Sequence, residues 1–161
     1  MRKSTFRANY IIVPLITIVT SLIGGYATSL GLMSWYQGLI LPAIAPAGNI
    51  IGFIWTVIYI LTTISALIYV NKAGSKDKNY NVVISLFIAN AVLNALWSFV
   101  FFAWHSLGGA IIEMIILEIT NIALIIYIWK RSNIAAYLLL PYLIWVAFAT
   151  YLAIQIFLLN V

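Results

Sequence analysis

The chain has 161 residues, 65% of them hydrophobic and only 7% charged, with a net charge of +5 and no cysteine. A soluble domain carries about 25% charged residues, so a water-covered globular fold is excluded. Long continuous apolar runs exclude an alternating outer-membrane barrel, and the lack of cysteine excludes disulfides, thiolate catalysis and Cys-ligated metals.

The composition points to one all-α integral membrane domain, residues 1–161, built as a bundle of five transmembrane helices. Arg2, Lys3 and Arg7 precede the first predicted span, 9–30. Its apolar run continues past signal-peptide length, so a retained helix is expected. Ser21, Gly25 and Thr28 share one face with Gly24 beside them, and small residues at this spacing let helices approach closely in lipid.

Residues 31–48 form a long loop that is punctuated by Pro and Gly and carries no charge. A loop of this length is commonly a lid, a binding loop or disordered. Its low polarity argues against disorder, so the loop is predicted to cover a pocket between helices.

The second span, 49–71, places Trp55, Tyr59, Thr62, Ala66 and Tyr69 on one stripe of a helix. The third, 80–104, does the same for Asn90, Asn94, Trp97 and Phe101. Two asparagines at membrane depth need partners, so they should face protein or a wet cavity. A short turn at His105–Gly109 leads into the fourth span, 110–129, which holds the only intramembrane charges, Glu113 and Glu118. Five residues apart, these point about 140° from each other and cannot form a close acid pair. Each is expected to face the bundle or be protonated. The fifth span, 134–159, contains Pro141, which predicts a kink, and a Trp145, Ala149, Leu152 stripe.

The basic residues cluster before the first span, between the second and third (Lys72, Lys76, Lys78, beside Asp77), and between the fourth and fifth (Lys130, Arg131). Five crossings put those three segments on one side. The positive-inside rule then predicts an N-terminus in the cytoplasm and a C-terminus outside, for a protein expected in a bacterial cell membrane. The basic balance reads as a topology signal with attraction to membrane lipid, not as a nucleic-acid surface. Ser-His-Asp and Cys-His arrangements, metal clusters and phosphate-binding glycine loops are all missing from the sequence, which argues against a conventional hydrolase or transferase and against a bound metal.

Four blocks resemble the tryptophan-rich sensory protein (TspO) family, which includes the translocator proteins. They are WYQGLILPAIAP at Trp35–Pro46 running into GFIWTVIY at Gly52–Tyr59, LNALWSFVFF at Leu93–Phe102, GGAIIEMIIL at Gly108–Leu117, and PYLIWVAFAT at Pro141–Thr150. The resemblance implies a five-helix bundle, often a homodimer. It also implies a pocket under the first loop that binds tetrapyrroles such as protoporphyrin IX or similar flat hydrophobic molecules, acting as sensor or carrier. Porphyrin would be a ligand, and no cofactor is required. Carried over by position, the ligand-binding residues are Gly24, Trp35, Trp55, Asn94, Trp97, Trp145 and Ala149. An alternative is light- and oxygen-dependent porphyrin degradation, with Trp55 and Trp145 as the redox-active residues. A further alternative is a small proton-coupled transporter using Glu113 or Glu118. The chain departs from the family pattern at Ala47, Asn49, Phe53, Ser98, Phe99 and Ala153, and 149–161 lacks the basic residue of the animal sterol-recognition pattern.

Overall fold

The computed structural model describes residues 8–73 and 77–161. Arg2, Lys3, Arg7 and Lys76, read above as topology signals, lie outside the described residues. Six helices follow in order: α1 (Asn9–Gly31), α2 (Gly48–Ala73), α3 (Tyr80–Ser98), α4 (Leu107–Trp129), α5 (Asn133–Tyr137) and α6 (Leu140–Asn160). The loop between α1 and α2 contains one 3-10 turn, Tyr36–Gly38, and α3 runs on as a π turn through Phe99–Ala103. Five segments are long and apolar enough to cross a membrane, the last made of α5 and α6 together. Leu22, Phe53, Ile112 and Ile144 project outward from four different helices, each at least 63% exposed. An apolar surface of that extent suits acyl chains, not water.

Three local features differ from the simple periodic reading, and each has a backbone cause. The close-packed face of α1 is Thr20, Gly24, Ala27 and Gly31, all buried, and it meets α3 and its π turn. Gly25 has nothing within 4 Å of a virtual Cβ, whereas a Cβ on Gly31 would overlap the carbonyl oxygen of Phe102. The helix–helix contact therefore uses Gly31 and Gly24, not the Ser21, Gly25, Thr28 face.

The end of α3 is wound wider than an α-helix. Trp104 N–H donates to the Phe99 carbonyl at 2.8 Å and Ser106 N–H to the Val100 carbonyl at 3.0 Å. The extra residue per turn leaves Val100, Phe101 and Phe102 all buried. His105 follows with φ of 54°, a left-handed conformation that histidine adopts more readily than most residues.

The fifth span breaks at Leu138–Leu139, ahead of Pro141, so the proline begins a new helix instead of kinking one. Pro is well tolerated in a first turn, where its missing N–H leaves no bond broken. The break frees carbonyls in α5. Ser65 of α2 donates its hydroxyl to the Ala135 carbonyl at 2.7 Å, so the interruption is satisfied from a neighbouring helix.

The two ends of the bundle are tied differently. At one end Arg131 donates to Asp77 through Nε at 2.9 Å and Nη2 at 3.2 Å, joining the α2–α3 and α4–α5 connections. Tyr69 O–H and Asn79 N–H also donate to this carboxylate, at 3.2 and 3.1 Å. The Arg131 guanidinium, then the Asn79 N–H, hold the Asp77 carboxyl below its ordinary pKa. The sequence reading had placed both residues only among the topology charges. At the other end the carboxamide of Asn160 exchanges hydrogen bonds with the backbone of Ile40, accepting at 2.9 Å and donating at 3.0 Å. The C-terminal turn of α6 thereby pins the long loop.

Two outcomes follow. Gly31→Ala should lower the thermal midpoint in detergent, at a cost of about 1–3 kcal/mol for overpacking, while Gly25→Ala should leave it unchanged or raise it. Because the folded pKa of Asp77 lies below the unfolded value of about 4, its contribution is complete above that value and is lost as pH falls through the folded one. Asp77→Asn should reduce stability at pH 7 and flatten the acid limb of a melting-temperature profile.

Candidate functional site

The site starts from a buried hydrogen-bond chain that crosses four helices. Tyr59 on α2 donates its hydroxyl to Asn94 Oδ1 on α3. Asn94 Nδ2 donates to the Tyr142 hydroxyl on α6 at 2.9 Å. One turn earlier on α3, Asn90 Nδ2 donates to Asn121 Oδ1 on α4 at 2.7 Å. Every member is polar at membrane depth, and each finds a partner on another helix, as lipid requires.

Each of three members has an indole one turn along its own helix. Trp55 precedes Tyr59 by four residues, Trp97 follows Asn94 by three, and Trp145 follows Tyr142 by three. Since α2 runs opposite to α3 and α6, all three steps lead toward the loop end of the bundle. There the indoles border one cavity of about 1130 Å³, slightly larger than the ~300–1,000 Å³ of common small-molecule sites.

Gly24, Trp55, Asn94, Trp97, Trp145 and Ala149 all lie on the wall of this cavity. Leu41, Pro42, Ala45, Pro46 and Ala47 of the loop also border it, so the loop does reach over a space between helices. Trp35 is not on the wall. Its ring stacks on His105 at 4.5 Å and meets Phe101 edge-on at 5.3 Å, so it supports the wall residue Phe101 from behind. Trp104 and Trp129 are 63% and 41% exposed, at opposite ends of the bundle, as interfacial indoles are.

Two indole donors, Nε1 of Trp97 and Nε1 of Trp145, are buried with no hydrogen-bond partner among the described residues. Trp145 is only 9% exposed. Trp55 lies against Tyr59 at 5.8 Å and edge-on to Tyr142 at 5.9 Å. The cavity therefore presents flat aromatic surface and the Asn94 carboxamide.

Glu113 is buried, and neither of its carboxyl oxygens has a partner among the described residues. It does not border the cavity, although the next residue, Met114, does. Glu118 is half-buried, and its Oε2 has no hydrogen-bond partner among the described residues. The two acids remain on different sides of α4 and neither lines the cavity. Sequence reasoning missed Tyr142 as a member of the polar chain and Met114 as part of the wall. The available signal for Tyr142 was its place one turn before Trp145.

Residues 11–159 match the TspO/MBR family. The tryptophan-rich protein TspO of Bacillus cereus is 35% identical over 127 residues, covering 79% of this chain and 81% of that protein. The tryptophan-rich protein TspO of Archaeoglobus fulgidus is 34% identical over 137 residues, covering 85% and 87%. The human translocator protein is 28% identical over 118 residues, covering 73% of this chain and 70% of its own length. A match running almost from end to end, on a chain that folds as five membrane-spanning segments, establishes that this integral membrane protein belongs to the TspO/MBR family.

Proposed function

We propose that the protein binds a flat, conjugated, largely apolar ligand of the tetrapyrrole class in the aromatic cavity, as a sensor or carrier. The carrying observation is the convergence of the Trp55, Trp97 and Trp145 indoles and the Asn94 carboxamide, from three helices, on the wall of one large cavity. A porphyrin is a disc with π faces for the indoles and polar atoms at its edge and centre. The Pro- and Ala-rich loop segment supplies an apolar cover. With Lys72, Lys78, Lys130 and Arg131 at the opposite end, the positive-inside rule favours an N-terminus in the cytoplasm and a cavity that faces outward.

The contact of Trp55 with two tyrosines favours a second reading, photo-oxidative breakdown of the bound ring. An excited porphyrin would take one electron from the Trp55 indole and pass it to dioxygen as superoxide; the hole, shared with Tyr59 and Tyr142, would return to the ring, and the ring cation radical would combine with superoxide, both oxygen atoms ending on the two carbons of the cleaved methine bond.

Titration with protoporphyrin IX should quench tryptophan fluorescence. Trp145→Ala loses a stacking face worth about 0.5–1.5 kcal/mol, so affinity should fall about 2- to 10-fold. Trp104→Ala, on the outer surface, should bind as wild type. Unchanged affinity in both Trp145→Ala and Trp55→Ala removes the binding reading. Under illumination in air, Trp55→Phe should slow loss of the porphyrin absorbance while retaining binding. Equal bleaching rates would reject the second reading alone.

A further inference from the structure

The aromatic cavity is not closed on every side. Gly25 and Ser29 of α1 and Gly52 and Thr56 of α2 border it and are also exposed, so they stand on a rim where the hollow meets the outer surface. Leu22 and Tyr26 on α1 and Phe53 and Ile60 on α2 flank that rim, each more than half exposed. They belong to the apolar surface that faces acyl chains.

The rim runs between two antiparallel helices. Thr17 and Thr63 touch through their hydroxyls at 2.8 Å, and there α1 and α2 are in contact. Following both helices from that pair toward the loop brings Gly25 to the level of Thr56 and Ser29 to that of Gly52. Small residues on neighbouring membrane helices ordinarily let the backbones close up, as Gly31 does against Phe102. Here they do not. A Cβ on Gly25, Gly48 or Gly52 would meet nothing within 4 Å. The two helices therefore part from the Thr17–Thr63 contact toward the loop, and the small residues leave a cleft instead of making a contact.

The hydroxyls along the cleft are already spent. Ser21 donates to the Ile18 carbonyl at 2.8 Å, Ser29 to the Tyr26 carbonyl at 2.7 Å and Thr56 to the Gly52 carbonyl at 2.9 Å. Each has a single proton, so an apolar ring sliding between the helices takes no donor from its partner. The other ways in are obstructed. The loop covers the end that faces water, and Asn160 holds it through the backbone of Ile40. The Thr17–Thr63 contact and the Tyr59–Asn94–Tyr142 links close the inner end.

We propose that the cleft between α1 and α2 is a lateral portal, through which the ligand exchanges between the aromatic cavity and the half of the bilayer on the loop side. The ligand is then one delivered dissolved in the membrane, not one that crosses the loop from water. The portal rests on tetrapyrrole binding in that cavity and adds the route by which the ligand arrives.

Full-length protein in lipid nanodiscs is loaded with protoporphyrin IX. Release into excess empty vesicles is followed by recovery of tryptophan fluorescence, and association by its quenching. A bulky side chain in a passage raises the barrier from both sides. Gly52→Phe and Gly25→Phe should therefore slow association and release together, each by at least about tenfold. Ile60→Ala, which takes bulk off the rim, should speed both. Gly38→Phe should exchange as wild type, because Gly38 lies in the loop, off the cavity wall, where a Cβ also meets nothing within 4 Å. Wild-type rates in both helical Phe variants, with binding retained, overturn the portal and leave the binding reading standing. Faster release with unchanged association in both also overturns it, since the two positions would then be contacts of the bound ligand. Absence of binding by the wild type removes the binding reading and the portal together.

Discussion

The constraint on which the rest of the structure depends is the hydrogen-bond chain that α3 carries on two successive turns, Tyr59–Asn94–Tyr142 and Asn90–Asn121. Between helices in a bilayer, burial of apolar surface gives little preference for one rotation over another, because lipid tails are as apolar as leucine. Polar groups do discriminate, since any rotation that turns Asn94 toward lipid leaves its carboxamide unpaired. The chain thus sets the rotation of α2, α3, α4 and α6 together. Measured inter-helix bonds in membranes average about 0.6 kcal/mol each. Their sum is modest, so their importance lies in specifying one arrangement over near-equal alternatives.

Once those helices are indexed, the aromatic cavity follows from arithmetic. The indoles at 55, 97 and 145 stand three or four residues from their polar nodes, all toward the loop end. The three rings therefore arrive at one level without contacting each other. The space left between them is kept open because α1 brings small residues there. Gly25 and Ser21 border the cavity, while Gly31 and Gly24 hold the helix against α3. A single helix thus both packs and makes room, on adjacent faces.

The loop is held at two places by unrelated means. Asn160 clamps the backbone of Ile40, and Trp35 is anchored on His105 and Phe101. The second anchor depends on the π turn, which positions Phe101 and Phe102 inward together. Loop, π turn and α6 terminus form one layer at the end of the bundle away from the Asp77–Arg131 clamp. The Tyr59–Asn94–Tyr142 links lie midway between these two ends.

The sequence by itself determined the five crossings, the basic end, the uncharged loop and the stripe that joins Asn90, Asn94 and Trp97, because length, charge and helical period are local properties. It also carried enough of the family's blocks to name the family. Only the tertiary structure decided that Trp35 stands behind the wall, that Gly31 and not Gly25 is the close contact, and that Pro141 starts a helix after a break. Only the tertiary structure, too, paired Asp77 with Arg131, which lie 54 residues apart. The physical reason is that period assigns a residue to a face, but in an apolar solvent nothing in the pattern says which apolar face meets a neighbour. That choice is made by polar groups finding partners on other helices, and those partners are distant in sequence.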